Sequence, residues 1–137
     1  MVYSFRARDV LFALPREAYA GMSGASEDYA LLQARAIRDN FGAQWGLAES
    51  GSVGGSSHPS GAPAGRSCAA VAGPDGFEFV RITETGGDER IANMEAFARA
   101  ALQTLDVLAV TVAGRADLEA KEAAKPALLR KNTSRIR

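Results

Sequence analysis

Between Glu49 and Arg66 the chain runs Ser50-Gly-Ser-Val-Gly-Gly-Ser-Ser-His-Pro-Ser-Gly-Ala-Pro-Ala-Gly65, and no other stretch limits the possible folds as much. Glycine and serine favour turns over regular elements, and Pro59 and Pro63 remove backbone donors, so the segment cannot hold a helix or strand. A structureless run of this length inside a compact domain is usually functional. It also fixes the layout of its flanks. Before it, Gln44 to Glu49 (QWGLAE) reads as a short buried strand. After it, Arg66 to Ala72 and Phe77 to Glu84 read as strands around Gly73-Pro-Asp-Gly76, a turn sequence that predicts an antiparallel β-hairpin.

Helices account for the rest. Ser26 sits where an N-cap belongs, Glu27 and Asp28 occupy the first turn, Ala30, Ala34, Ile37 and Phe41 form a stripe, and Gly42 follows as a stop. That pattern predicts a helix over 27–40. Met1 to Phe5 is β-prone and gives way to a helical stretch from Arg6 to Leu14, halted by Pro15. Gly86-Gly87-Asp88 opens the longest helix, with Asp88 as its cap and Ile91, Met94, Ala98, Ala101, Leu105 and Leu108 on a face expected to pack on the sheet. Beyond Gly114 the Ala, Glu and Lys content extends as another helix to Pro126, and Leu128 to Arg137 forms a frayed basic end.

With 137 residues, 47% of them hydrophobic and 23% charged, the chain has material for one packed domain. It contains no apolar run of about 18 residues and no basic-then-apolar leader, so the expected address is cytoplasmic, without a membrane partner. A single Cys68 and a single His58 exclude an internal disulfide and leave too few ligands for a zinc site, so neither metal nor cofactor is expected. The zero net charge conceals an asymmetry. All three lysines (Lys121, Lys125 and Lys131) fall in the last 23 residues, so lysine chemistry is excluded from the body of the chain. The tail's basic residues are offset by Asp117, Glu119 and Glu122 and carry no interleaved aromatic, which argues against nucleic acid as a partner.

Several residue groups bear chemistry. Ala48 to Gly55 offers backbone N–H groups unobstructed by side chains; on residue types alone it is either an anion cradle or an ordinary mobile loop. It is not a Walker loop, because no Gly-Lys-Ser/Thr follows and no GxGxxG spacing occurs. Glu49, Ser50, Ser52, Ser56, Ser57 and His58 supply serine, histidine and carboxylate, but a flexible loop gives them no rigid support, and His58 reads as solvent-exposed. Cys68, among Ala69, Ala70 and Val71, reads as a small core residue, and Trp45 as core. Tyr3, Ser4, Arg6 and Arg8 stand at a strand-to-helix corner where α/β folds often bind ligands, or else form packing and a solvated face.

The order of short motifs is more specific than any one of them. Val2-Tyr-Ser4, Gly24-Ala-Ser-Glu27 opening a helix, Gly42-Ala-Gln-Trp-Gly-Leu-Ala-Glu-Ser-Gly51, Pro63-Ala-Gly65 entering the hairpin, and Gly86-Gly-Asp-Glu-Arg90 opening the long helix together resemble the CinA carboxy-terminal family, the nicotinamide-nucleotide amidohydrolases. The resemblance covers roughly residues 1–110 and leaves 111–137 as a basic tail. It implies an α/β fold with three α/β/α layers on a mixed sheet. The activity it implies is hydrolysis of the nicotinamide mononucleotide carboxamide to the acid and ammonia, in pyridine-nucleotide recycling.

That family takes its serine from a Glu-Ser-x-Thr-Gly-Gly motif ahead of the Val-Tyr-Ser strand, whereas this sequence opens at Met1-Val2-Tyr3. The resemblance therefore implies a divergent or truncated member, incomplete at the N-terminal end of its sheet and inactive as this chain. Ser50 and Gly51 stand for the threonine and glycine of the family's later Thr-Gly-Ile-Ala-Gly-Pro loop, with Gly55 in place of its proline. Ala62 stands where a lysine is often found. The family's lysine after the Tyr-Ser strand maps to Arg8, which stays protonated and cannot act as a base. Ser50 and Arg8 are the catalytic candidates that follow. Tyr3, Ser4, Arg8, Glu49, Ser50, Gly51, Gly54 and Gly55 form the implied ligand-binding set, Arg8 balancing a phosphate and the loop N–H groups holding phosphate or oxyanion. The alternative is a non-catalytic nucleotide-binding or assembly module completed by a partner chain. In either case a missing core strand and helix predict a homo-oligomer.

Overall fold

A computed structural model describes residues 4–124. The elements are helix α1 (Phe5–Phe12), helix α2 (Glu27–Asn40), strands β1 (Gly46–Ser52), β2 (Arg66–Ala72) and β3 (Glu78–Glu84), and helix α3 (Arg90–Ala123). The chain divides into two compact units, Met1–Leu105 and Asp106–Arg137. The first holds the sheet with α1, α2 and the start of α3. The second opens on the remaining part of α3, where Lys121 pairs with Asp117 one turn away at 2.6 Å.

Helix α2 forms where its signals predicted. Ser26 Oγ accepts the Tyr29 N–H as N-cap, two acidic residues occupy the first turn, and Gly42 takes a left-handed φ of 58° just past the C-cap. Its buried face is alanine. Ala30 and Ala34 meet Cys68, Ala70 and Ala72 of β2, with Leu31, Ala48 and Val80 at the margin. Small residues on both sides let the helix approach closely. At Gly46 a Cβ would overlap the Ala34 carbonyl oxygen, so only glycine fits there. Arg38 extends from α2 to the Gly73 carbonyl at 2.7 Å, and Arg35 grips the Glu78 carboxylate, fastening the helix to the hairpin.

The sheet has order β1-β2-β3, and both pairings are antiparallel. The hairpin forms as its turn sequence predicted, with Asp75 at φ 53° and Gly76 at 75°. β2 is buried along nearly its whole length, which requires cover on both faces. Cys68, Ala70 and Ala72 point to α2, while Ser67, Ala69 and Val71 alternate to the other side. Arg81 lies on that second side and donates to Thr104 Oγ1 on α3 at 3.3 Å.

Four expectations need correction. The first strand runs from Gly46 to Ser52, three residues into the Gly/Ser stretch, because Ser50, Gly51 and Ser52 pair with Cys68, Ser67 and Arg66. Cross-strand bonding here overrides weak local propensity. Met1 to Tyr3 of the expected opening strand lie outside the described residues; Ser4 is the N-cap of α1 and accepts the Ala7 N–H at 3.1 Å, so Phe5 starts a helix. The long helix is capped by Glu89, whose Oε2 accepts the Ala92 N–H and whose carbonyl accepts that of Asn93. It then continues unbroken through Gly114 to Ala123.

The fourth correction concerns the inward face of α3. Asn93, Phe97, Ala100, Ala101 and Thr104 are buried, whereas Ile91, Met94 and Ala98 of the expected face are exposed. By length and composition Arg90–Lys121 passes for a membrane span. Buried Asn93 and Thr104, bonded to the sheet and its loops, mark its first half as a domain helix instead. The basic residues Lys125, Arg130, Lys131, Arg135 and Arg137 and the expected frayed end lie outside the described residues.

The packing at Gly46 predicts that Gly46→Ala costs about 2 kcal/mol or more, read from the urea midpoint. Gly114→Ala, in open space within α3, should shift stability the other way by up to about 1 kcal/mol.

Candidate functional site

The chain entering α2 is held by the sheet at a single residue. Ser50 and Cys68 are register partners on the face toward α2. Ser50 Oγ accepts the Ala25 N–H at 3.2 Å, and Cys68 Sγ donates to the Ala25 carbonyl at 3.2 Å. Ala25 is buried with a left-handed φ of 57°, a costly conformation for a residue with a Cβ. The two strand side chains satisfy both of its backbone groups and sustain that conformation. Burial pushes the Cys68 thiol above its usual range, keeping it an S–H donor rather than a nucleophile. Cys68 is thus the small core residue expected, with a positioning task that composition does not display.

Helix α1 approaches the same first turn of α2. Arg8 donates to the Tyr29 hydroxyl, and its guanidinium lies 5.5 Å from the centre of the Tyr29 ring. Tyr29 itself is buried. A guanidinium, a helix N-terminus and the end of β1 therefore share one corner of the fold. Of the implied set, Arg8 and Ser50 are brought there by α1 and β1, whereas Glu49 and Gly51 pair with Ala69 and Ser67 on the opposite face of the sheet. Ser4 is committed to capping α1, and Tyr3 lies outside the described residues.

The Gly/Ser loop, now residues 53–65, is tied to its surroundings at several points. Gly65 N–H bonds Ser52 O at 2.8 Å, closing the loop at its base. Ser60 Oγ donates to the Gly24 carbonyl at 3.1 Å, and the His58 ring fills the space beside Gly24, where a Cβ would come within 2.7 Å. His58 is consequently half-buried, not solvent-exposed. At the other side Asn93, 2% exposed, donates from Nδ2 to Val53 O and Gly87 O, both at 3.0 Å, and accepts from Thr85 Oγ1 at 2.5 Å. One buried amide thereby joins the loop, the turn before α3 and α3 itself.

Gly54 and Gly55 do not present a free cradle. Both have positive φ, but Gly55 N–H donates to Asp88 Oδ1 at 3.0 Å, and a Cβ on Gly54 would overlap the same carboxylate. An internal anion occupies the place where a ligand anion was expected, which is why Asp88 does not cap α3. Two shallow clefts, of about 300 and 240 Å³, lie elsewhere, beside Val10 and Phe41 and beside Pro63 and Glu84. Neither is lined by Arg8 or Ser50.

The hydroxyls can be judged for catalysis. Ser50 Oγ is engaged with Ala25 and has no base bonded to it among the described residues. Ser60 Oγ and His58 Nδ1 lie 2.7 Å apart, but on one tight, mostly exposed turn, with Ser60 also bonded to Gly24 and no carboxylate on the far ring nitrogen among the described residues. Glu49 accepts from Ser67 Oγ at 2.5 Å. Desolvation of its carboxyl end raises its pKa, and the Ser67 bond only partly offsets the rise.

With this geometry in view, the family described as CinA C-terminal domain matches residues 1–124. The chain belongs to that family. Among solved structures it is similar to a competence-damaged protein (CinA) superfamily protein from Escherichia coli. The TM-score is 0.68 at 20% identity, over 78% of this chain and 61% of that one. It is equally similar to the competence/damage inducible protein CihA from Agrobacterium tumefaciens, with a TM-score of 0.68 at 22% identity over 77% and 64% of the two chains. The competence damage-inducible protein A from Klebsiella pneumoniae gives 0.63 at 24%, over 82% and 66%. At such identities the likeness establishes the α/β fold of the CinA C-terminal domain. The chain spans roughly three-fifths of the length of the first two. No curated protein matches it.

Asn93 was missed by periodicity because a polar side chain on an inward helix position registers as a defect in the apolar pattern. Replacing Asn93 by Ala removes the partner of Val53 O, Gly87 O and Thr85 Oγ1, on the loop and on the turn before α3, and should lower stability by about 1–3 kcal/mol, measured by thermal or urea unfolding. Glu49 predicts a pH dependence. Its folded-state pKa is raised, so its contribution to stability is full below the unfolded carboxylate pKa and is lost as pH rises through the folded value. Glu49→Gln should remove that loss. Its Tm advantage over the parent should therefore grow from about pH 4 toward neutrality, modestly, since the side chain is partly exposed.

Proposed function

We propose that this CinA-family domain binds a pyridine mononucleotide of the nicotinamide mononucleotide class at the corner formed by α1, the first turn of α2 and the end of β1, and that the described residues do not hydrolyse its amide. The observation that supports this reading is the convergence of Arg8 on Tyr29 with the Ser50–Ala25–Cys68 clamp one step before the helix. The Arg8 guanidinium is the group that favours a phosphate. Asp88 at Gly55 disfavours a second anion there, so the phosphate belongs beside Arg8 and not in the Gly54–Gly55 bend. The pyridine ring would then lie toward Ser50, the residue at this end of β1 whose side chain is on the α2 face. Amide hydrolysis requires a nucleophile held against a base, with donors for the oxyanion. Neither Ser50 nor Ser60 meets that requirement, and Arg8 cannot act as a base. A cytoplasmic setting and residues 1–110 as the family domain complete the proposal.

Titration of the full chain with nicotinamide mononucleotide in a calorimeter, alongside an ammonia-release assay, checks both parts. Binding without ammonia is expected, and Arg8→Met should weaken it by about tenfold or more while leaving the unfolding midpoint within about 1 kcal/mol. Ammonia release by this chain would overturn the non-hydrolytic part, and absence of binding would overturn the site.

A further inference from the structure

The only histidine of the chain stands at one end of a run of hydrogen bonds that reaches the turn entering α2. His58 Nδ1 lies 2.7 Å from Ser60 Oγ, and Ser60 Oγ donates to the Gly24 carbonyl at 3.1 Å. The carbonyl of Gly24 and the N–H of Ala25 belong to one peptide unit, and that N–H is the one Ser50 Oγ accepts at 3.2 Å. The run therefore passes from the imidazole through a hydroxyl and a peptide group to the sheet. It holds from the loop side the same left-handed turn that Ser50 and Cys68 hold from the strand side. We infer that His58 is a proton-operated latch on this turn, its imidazolium form binding the Gly/Ser loop to the entry of α2 and its neutral form loosening that hold.

Proton counting gives the sense of the switch. A hydroxyl has one proton to donate. While Ser60 spends it on Gly24, its oxygen can only accept from the ring, so Nδ1 must carry hydrogen. The Ser60 N–H also approaches Nδ1, at 3.2 Å, and can bond there only when Nδ1 is bare. A bare Nδ1 thus takes the Ser60 N–H and competes with the Gly24 carbonyl for the Ser60 hydroxyl proton. A cationic ring, with hydrogen on both nitrogens, permits only the run toward Gly24 and strengthens it by its charge. No other ionisable side chain lies in residues 20–26 or 50–65, the two segments so joined. At their borders Glu49 is bonded to Ser67 and Arg66 to Glu84, while Glu27 and Asp28 occupy the first turn of α2. The ring is packed beside Gly24, and its half-buried setting still leaves it open to proton exchange with water. The inference does not rest on the nucleotide reading, since Arg8 and Tyr29 take no part in the run.

Nuclear magnetic resonance of the full chain tests the latch without any ligand, because a single histidine gives an unambiguous ring signal. An imidazole changes charge between about pH 5 and 8, so the range to scan is about pH 8 down to about pH 5.5. Over it the exchange protection of the Ala25 amide, normalised for the intrinsic rate, should rise about three- to tenfold in step with protonation of the ring. The Ser60 amide proton should move upfield over the same range as it loses its acceptor. Ser60→Ala, at an exposed position, should leave the circular dichroism spectrum unchanged and uncouple Ala25 from the ring. His58→Gln, which fills the space beside Gly24 but does not titrate, should likewise abolish the pH dependence at Ala25. An Ala25 amide indifferent to the ring titration would overturn the latch. So would a dependence that survives in either variant, or a Ser60 amide that keeps its bond when the ring is charged.

Discussion

The closeness of α2 to the sheet is the constraint from which the rest of this domain follows. A helix can settle this tightly only if both surfaces are nearly featureless, and here they are: Ala30 and Ala34 on one side, Gly46, Ala48, Ala70 and Ala72 on the other. Little area is buried per residue, so the contact gains by dispersion at short range rather than by bulk. The cost is intolerance. A side chain at Gly46 has nowhere to go but into the backbone of α2, and the entry of α2 must be held at a matching depth. The clamp on Ala25 does this by pairing the N–H and the carbonyl of one residue with Ser50 and Cys68 from adjacent strands.

That clamp changes the meaning of the residues that seemed chemically active. A serine after a strand, next to a glycine-rich run, suggests a nucleophile or an anion cradle; in three dimensions Ser50 is an acceptor holding a strained turn. Cys68 is its counterpart, and burial keeps the thiol protonated for the purpose. Asp88, expected to cap a helix, instead accepts the Gly55 N–H of the Gly54–Gly55 bend. The polar groups of this region are largely spent on one another, Arg8 included, whose guanidinium donates to the Tyr29 hydroxyl.

What was legible in the sequence follows the range of the interactions involved. Helix 27–40 and the hairpin were readable because their determinants are local: Ser26 caps a turn three residues away, and Pro74 to Gly76 bend the chain on themselves. The end of β1 was not, because Ser50, Gly51 and Ser52 are strand only by virtue of partners fifteen or so residues further along. The family could be recognised from the order of motifs even though each is short. Asn93 and His58 were hidden for a different reason. Both are polar groups whose burial is determined by three-dimensional partners, and no periodicity announces a buried amide or an imidazole packed on a glycine.

Helix α3 shows the remaining gap between pattern and placement. A repeat of apolar residues reports that some surface is to be excluded from water, without naming the surface that excludes it. Ile91, Met94, Ala98 and Leu105 give the cleaner repeat, yet the domain buries the face that carries Asn93 and Thr104. It does so because those two polar side chains have partners, the loop at Val53 and the guanidinium of Arg81, that only that face can reach. Specific hydrogen bonds thus select which face turns inward, and the more regular stripe is left outside.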